Sequence, residues 1–347
     1  MKQRRTVLIG GDLHNLGDLK LVLQNLKVDA PALVRRWRAL PPEVERQVRE
    51  AGGTLVDGRD LIGFARRCWG ADLVIGGGQL VRDNQSPRSL AGLLLAAISA
   101  RAGGGRVLTR GLGVSRVSTR PARFFWSRIL RRADQVRVRD RRSADHAARL
   151  VAKGKVLETA DMVFLSFDPS RAGPQAGEHR DAVIVAPCVD AGENRFLPPE
   201  LVDDLTRAAL STVPDARLVL ACHDPQPEMD LAAARAIAAR LPEVQASILA
   251  GYDLSTLEQA YRSAALVITN RLHSVIFSLL NGAPVIIIDD GNPKLRAVAA
   301  TFDLPLMDNA TAAEVPGIVA GALAVDYAAR RALLSDLHAR AQANVTS

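Results

Sequence analysis

A chain of 347 residues is too long for one small domain and suits two α/β domains of about 170 residues each. Hydrophobic residues make up 48% and aromatics only 4%. That apolar stock, mostly Ala, Leu and Val, fits helices on parallel sheets, and no aromatics interleave with basic residues as a single-strand nucleic-acid platform requires. The excess of 45 basic over 37 acidic residues, a net +8, favours anionic partners such as phosphorylated small molecules or lipid phosphates; no motif supports nucleic acid.

The start, "MKQRRTVLIGGDLHN", has too short an apolar run for a signal peptide. The longest apolar stretch, "LAGLLLAAISA" (90–100), is about half a bilayer span and reads as a buried helix. Cys68, Cys188 and Cys222 lie far apart, in odd number and without metal spacing, which fits a reduced compartment.

Along the first half, strands are expected at 6–10, 53–57, 72–77, 106–111 and 135–139. Helices are expected near 18–26, 43–51, 59–68, 88–101, 121–132 and 142–152. Periodicity lapses over "SFDPSRAGPQAGEHR" (166–180), the best interdomain linker. A second series follows, with strands at 182–187, 216–222, 244–250, 265–270 and 284–289. Its helices fall near 198–211, 228–240, 255–262, 273–281 and 293–302, and a final helix covers 326–343. The fold class is therefore α/β, with two Rossmann-like domains facing a cleft: 1–168, 180–325 and a closing segment 326–347.

In such sheets ligands sit beyond the carboxyl ends of the strands, so the loops there are the candidates. "GGDLHNLGD" (10–18) places glycines and a helix N-terminus after the first strand; Asn15 and Asp18 serve either a ligand or the helix cap. "DLVIGGGQLVRD" ends a buried strand in Gly76, Gly77 and Gly78, leaving room for a substrate against the backbone, with Asp83 in reach of a sugar hydroxyl. In "VRVRDRRSADH", Arg139 ends a strand and suits a phosphate or carboxylate, or a structural pair. "ALVITNRLHSVIFSLLNGAPVIIIDDGNPK" is the most informative segment. Arg271 and His273 stand at one strand-to-helix turn and Lys294 at the next, two fixed cations and a titratable group suited to a doubly anionic substrate that needs proton transfer. His223 follows a strand as well and reads as a loop residue; His146, His179 and His338 carry no role. No His, Cys or carboxylate spacing suggests a metal.

In order and spacing these motifs resemble the polysaccharide pyruvyltransferase family. The match runs through "NLGD", "ADLVIGGGQLVRD", "GLGV", "VRDRRSADHAARL", "ETADMVFL", "DLSTLEQAYRSAALVITNRLHSVIFSLLNGAPVIIID" and "NPKLRAVAATFDLP", from about residue 8 to 305. This chain departs from the family's habit with Asp289, Asp290 and Gly291 where a tyrosine is frequent, and Ser274 where alanine is common. The resemblance implies a GT-B-like fold with the active site between the domains, the donor side in the C-terminal one and the acceptor side in the N-terminal one. It implies phosphoenolpyruvate as co-substrate with no further cofactor, and a pyruvate ketal on a sugar of a surface polysaccharide or its lipid-linked precursor. Carried over by position, His273, Arg271 and Arg139 are the catalytic group, with Lys294 on the substrate. The expected location is the cytoplasm, including the inner face of its membrane, where peripheral contact suits the charge. Two alternatives stand beside this: a GT-B glycosyltransferase using a nucleotide-sugar, and a non-catalytic family member in polysaccharide assembly.

Overall fold

The computed structural model describes residues 4–174, 178–189 and 197–346. It divides into two compact units, residues 1–166 with 336–347, and residues 167–335. The boundary falls at the start of the expected linker, whose residues 175–177 lie outside the described ones. The closing segment does not stand by itself: residues to Ser335 group with the second unit and those from Asp336 with the first.

Unit 1 is built on a five-stranded parallel sheet of β1 (Thr6–Ile9), β2 (Ala32–Arg36), β3 (Gly53–Asp57), β4 (Asp72–Gly76) and β6 (Val107–Arg110), in the order β3-β2-β1-β4-β6. Two short parallel pairs accompany it. They join β5 (Gln79–Val81) to β7 (Gly113–Val114), and β8 (Val136–Val138) to β9 (Val156–Glu158). Its helices are α1 (Leu16–Asp29), α2 (Pro42–Glu50), α3 (Leu61–Cys68), α4 (Pro87–Ala102), α5 (Arg120–Leu130) and α6 (Arg141–Ala147). One core cluster joins the strands to α3, α4 and α5, with Phe64, Leu90, Ala96, Trp126 and Ile129 all buried.

Unit 2 carries a six-stranded parallel sheet in the order β12-β11-β10-β13-β14-β15. The strands are β10 (Ala182–Ala186), β11 (Arg217–Ala221), β12 (Ala246–Leu249), β13 (Ala264–Thr269), β14 (Val285–Ile288) and β15 (Leu306–Met307). The helices are α7 (Pro199–Thr212), α8 (Asp230–Arg240), α9 (Leu254–Arg262), α10 (Leu272–Leu280), α11 (Pro293–Phe302) and α12 (Val315–Leu323), and the closing helix α13 (Tyr327–Gln342) is divided between the units at Asp336. The central strands are apolar and buried along their length, as parallel strands covered on both faces must be.

In each sheet the strand order reverses at the first strand of its unit. The switch points lie between β1 and β4, paired Ile9 to Ile75, and between β10 and β13, paired Ala186 to Thr269. The loops leaving the carboxyl ends at such a switch point are where α/β sheets bind ligands. The glycine-rich loops 10–18 and 76–83 occupy the first switch point, and Cys188, Asn270 and Arg271 the second.

Three features differ from the sequence reading. Strand β2 was unforeseen because "ALVRR" looks like a charged loop; Arg35 is nonetheless buried, its guanidinium stacked 3.3 Å from the Trp37 ring centroid. The helix expected over 142–152 stops at Ala147. The stretch 90–100 is buried on one face only, since Leu95 and Ile98 are exposed. No helix among the described residues is long and apolar enough to cross a membrane.

The C-terminal residues complete unit 1 chemically. Asn344 is fully buried; its Oδ1 accepts from the Gly111 amide (2.7 Å) and the Thr159 hydroxyl (2.8 Å), and its Nδ2 donates to the Ala160 carbonyl (2.9 Å). Asn344→Ala orphans the Gly111 amide and the Ala160 carbonyl, while the Thr159 hydroxyl keeps the Val138 carbonyl (2.9 Å), with an expected cost of about 2 kcal/mol. Urea denaturation checks this; an unchanged midpoint would mean that the C-terminus adds nothing to the unit.

Candidate active site

At the switch point of unit 1, α1 begins with Asn15 as its cap, the side-chain oxygen accepting from the amides of Gly17 (2.9 Å) and Asp18 (3.4 Å). Asn15 is thereby engaged in the backbone turn. Asp18, in the first turn, reaches back so that its Oδ2 accepts from the Asp12 amide (3.0 Å). Two glycines make room for this carboxylate. A Cβ on Gly11 would stand 2.2 Å from Asp18 Oδ2, and one on Gly78 would stand 2.7 Å from Oδ1. Gly77 and Gly78 both adopt positive φ, 76° and 73°, which only glycine takes without strain. Gly76 ends β4 with Asn25 and Arg110 close to its Cα.

Desolvation raises the Asp18 pKa from 3.8 to about 6, aided by the neighbouring Asp12 charge; the Asp12 amide and the Arg139 and Arg82 cations oppose it. A carboxyl titrating there can hold or release a proton near neutrality.

Two residues expected to meet substrate have other engagements. Asp83 accepts from the amides and hydroxyls of both Ser118 and Thr119 at 2.6–3.1 Å. Partial burial pushes its pKa up, but these donors outweigh it and hold the carboxyl at about 2. It anchors the entry to α5, a task invisible in sequence because its partners lie 35 and 36 residues away. Arg139 is buried and donates to Asp161 (3.0 Å), Gln79 (3.0 Å) and Asp140 (3.3 Å), so the expected free anion grip is tied up by acceptors within unit 1.

Unit 2 assembles a different group at its own switch point. Arg271 caps α10 and is 6% exposed; its guanidinium donates to Asp230, the fully buried first residue of α8. The other Asp230 oxygen accepts from the amides of His223 (3.0 Å) and Asp224 (2.8 Å). Burial opposes the Arg271 charge, but Asp230 and Cys188 outweigh it and raise the pKa, so the guanidinium stays charged. Its Nε–H is buried with no acceptor among the described residues. Beside it Asn270 grips the backbone of Cys188 on both sides, accepting from the amide (2.7 Å) and donating to the carbonyl (2.8 Å). This locks β10 to β13 just beyond their last paired residues.

His273 lies half-buried in the first turn of α10, two residues beyond Arg271. Lys294 opens α11 at the carboxyl end of β14, the strand next to β13; its amide donates to the capping Asn292. Thus Arg271, His273 and Lys294 share one sheet edge, whereas Arg139 and the loop residues belong to unit 1.

His223 lies in the loop after β11, as expected, and is fully buried there among Tyr261 and Phe277, with ring centroids 5.7 and 5.4 Å away. The Tyr261 hydroxyl donates to Ser274 (2.6 Å), so the His223 Nε2–H donates to Tyr261 (2.7 Å). Burial, then the Arg271 and His273 cations, drive the His223 pKa well below the usual range and keep the ring neutral. Ser274, unusual for the resembled family, thus has a partner of its own.

The chain's similarities agree with this architecture. Crystal structures sharing its fold include Anabaena Alr3699/HepE in complex with UDP and glucose (TM-score 0.60, 11% identity, 98% of this chain and 95% of that one). UDP-GlcNAc 2-epimerase from Neisseria meningitidis bound to UDP-GlcNAc is another (0.56, 11%, 98% and 97%), as is the Methanocaldococcus jannaschii enzyme in complex with UDP-GlcNAc and UDP (0.56, 11%, 93% and 93%). The class is thus α/β with parallel sheets, among GT-B proteins. The family model for polysaccharide pyruvyl transferase matches residues 7–292, and the chain belongs to that family, transferases of polysaccharide modification. Comparison with curated proteins finds no match.

The raised Asp18 pKa has a consequence for stability. Because the native state disfavours the ionised carboxyl, the cost is absent below pH 3.8, grows between 3.8 and about 6, and is complete above. Asp18→Asn keeps an acceptor for the Asp12 amide and removes that cost. Its stabilisation is expected to be larger at pH 8 than at pH 4 by up to about 3 kcal/mol. Denaturation at the two pH values checks this; a pH-independent effect contradicts it.

Proposed function

We propose that this chain transfers the pyruvyl group of phosphoenolpyruvate to two hydroxyls of a sugar in a surface polysaccharide or its precursor, forming a cyclic ketal and releasing phosphate. The observation that carries this reading is the buried Arg271 Nε–H at the switch point of its sheet, which has no acceptor among the described residues. A buried charged donor of this kind calls for an anionic ligand. The N-terminus of α10 brings the positive end of its helix dipole to the same place, and Lys294 adds a second cation one strand along. Phosphoenolpyruvate carries a phosphate and a carboxylate to match. Arg139, held by three acceptors, positions its surroundings in unit 1.

In the proposed reaction His273, as imidazolium, gives its proton to the methylene carbon, which becomes the methyl group. The positive charge develops at the carbon bearing phosphate and carboxylate, where a sugar hydroxyl adds and loses its proton. The C–O bond to phosphate breaks with the electron pair leaving on phosphate. A second hydroxyl closes the ring at the same carbon, its proton passing to solvent or phosphate. A positioned proton donor contributes about 10²–10⁴-fold to such a step. No other cofactor is required by this chemistry.

His273→Ala is expected to lower turnover by that factor while leaving the melting temperature within a few degrees, since the residue is half-buried at a helix end. Wild-type turnover in the variant would remove His273 from the acid role. Calorimetric titration of phosphoenolpyruvate should give saturable binding that Arg271→Lys weakens at least about tenfold, because a point charge cannot replace a guanidinium fork. Binding of a nucleotide-sugar in place of phosphoenolpyruvate would move the assignment to glycosyl transfer.

A further inference from the structure

Helices α3, α4 and α5 pack side by side in unit 1, with α4 in the middle. Ser99 of α4 donates to the Ala65 carbonyl of α3 at 2.6 Å, and Leu61 fills the space above Gly92. Their inward faces supply the core. Their outward faces are unusual: Ile62 is 63% exposed, Trp69 just past α3 61%, Phe124 51%, Leu95 41% and Ile98 39%. Scattered exposed apolar residues are normal, but four on three adjoining helices, with Trp69 at the end of one, form a patch.

The charge of these helices is equally one-sided. No Asp or Glu occurs in α3, α4 or α5, which carry seven arginines, among them Arg66, Arg67, Arg123 and Arg128. Arg128 lies over the Phe124 ring, 5.1 Å from its centroid. Nearby acids have tasks of their own: Asp60 caps α3, and Asp134 pairs with Arg101 at 3.0 Å.

We propose that the outward face of α3, α4 and α5 docks on an anionic lipid surface. Leu95 and Ile98, three residues apart on α4, enter the acyl boundary, Trp69 sits at the headgroup level, and the arginines extend to lipid phosphates. A second copy of this chain fits less well, since a two-fold contact sets arginine against arginine with no acidic partner. The inference is independent of the reaction assigned above.

The test is sedimentation of the full chain with vesicles of phosphatidylcholine alone or mixed with phosphatidylglycerol. Binding is expected to the mixed vesicles, weaker by about tenfold or more on the neutral ones, and weakened by salt. Leu95→Glu with Phe124→Glu, both exposed and therefore compatible with folding, should abolish binding. Arg66→Glu with Arg67→Glu should weaken it without altering the apolar residues. Absence of binding to the mixed vesicles, or undiminished binding by both double variants, overturns the proposal. So does light scattering that shows a dimer which Leu95→Glu with Phe124→Glu dissociates, since the face would then belong to a second copy.

Discussion

Asp230 is fully buried, and a carboxylate so placed must gather donors or lose its charge. It gathers three: the guanidinium of Arg271 and the amides of His223 and Asp224. The consequences extend in two directions. Arg271 is fixed as a cation at the head of α10 with one N–H that has no acceptor among the described residues, and the loop after β11 is drawn in so that His223 is buried beside it. The neutrality of His223 follows from that enclosure. A second positive charge in the same pocket, without a partner, would cost more than the interior can return. The site is thus one fixed cation held by one buried anion, with a neutral imidazole and aromatic rings packed behind it.

Unit 1 meets the same kind of constraint with smaller means. A carboxylate, Asp18, is enclosed where β1 and β4 end, and the enclosing residues are glycines because side chains there would collide with it. The result is a titratable group with a pKa near neutrality rather than a fixed charge. Arg139 tempers that group from a distance while bonded to Asp161, Gln79 and Asp140.

The two parallel sheets, most of their strands and both switch-point loops were legible in the sequence, because buried parallel strands are apolar throughout and their loops end in glycine or cation-bearing turns. Strand β2 was hidden by Arg35 and Arg36, and the burial of Arg35 by an aromatic ring is a tertiary fact that no local pattern encodes. The positions of Arg271, His273 and Lys294 along one sheet edge could be read from strand order. The support around them could not: Asp230 lies 41 residues before Arg271, and Tyr261 lies 38 after His223. Asp83 and Arg139 illustrate the converse. Each has the residue type and loop position of a ligand-binding group, but whether its hydrogen bonds are already taken depends on segments far along the chain. The exposed half of α4 was obscured in the same way, since an uninterrupted apolar run gives no hint that one face stays outside the core.

A crystal structure of the protein soaked with phosphoenolpyruvate is the most direct measurement. The account predicts the ligand beyond the carboxyl ends of β10, β13 and β14, with an anionic oxygen accepting from Arg271 Nε and the methylene carbon facing the His273 ring. Phosphoenolpyruvate bound elsewhere, or a closed site in which Arg271 Nε finds a protein acceptor and the ligand does not enter, would contradict it.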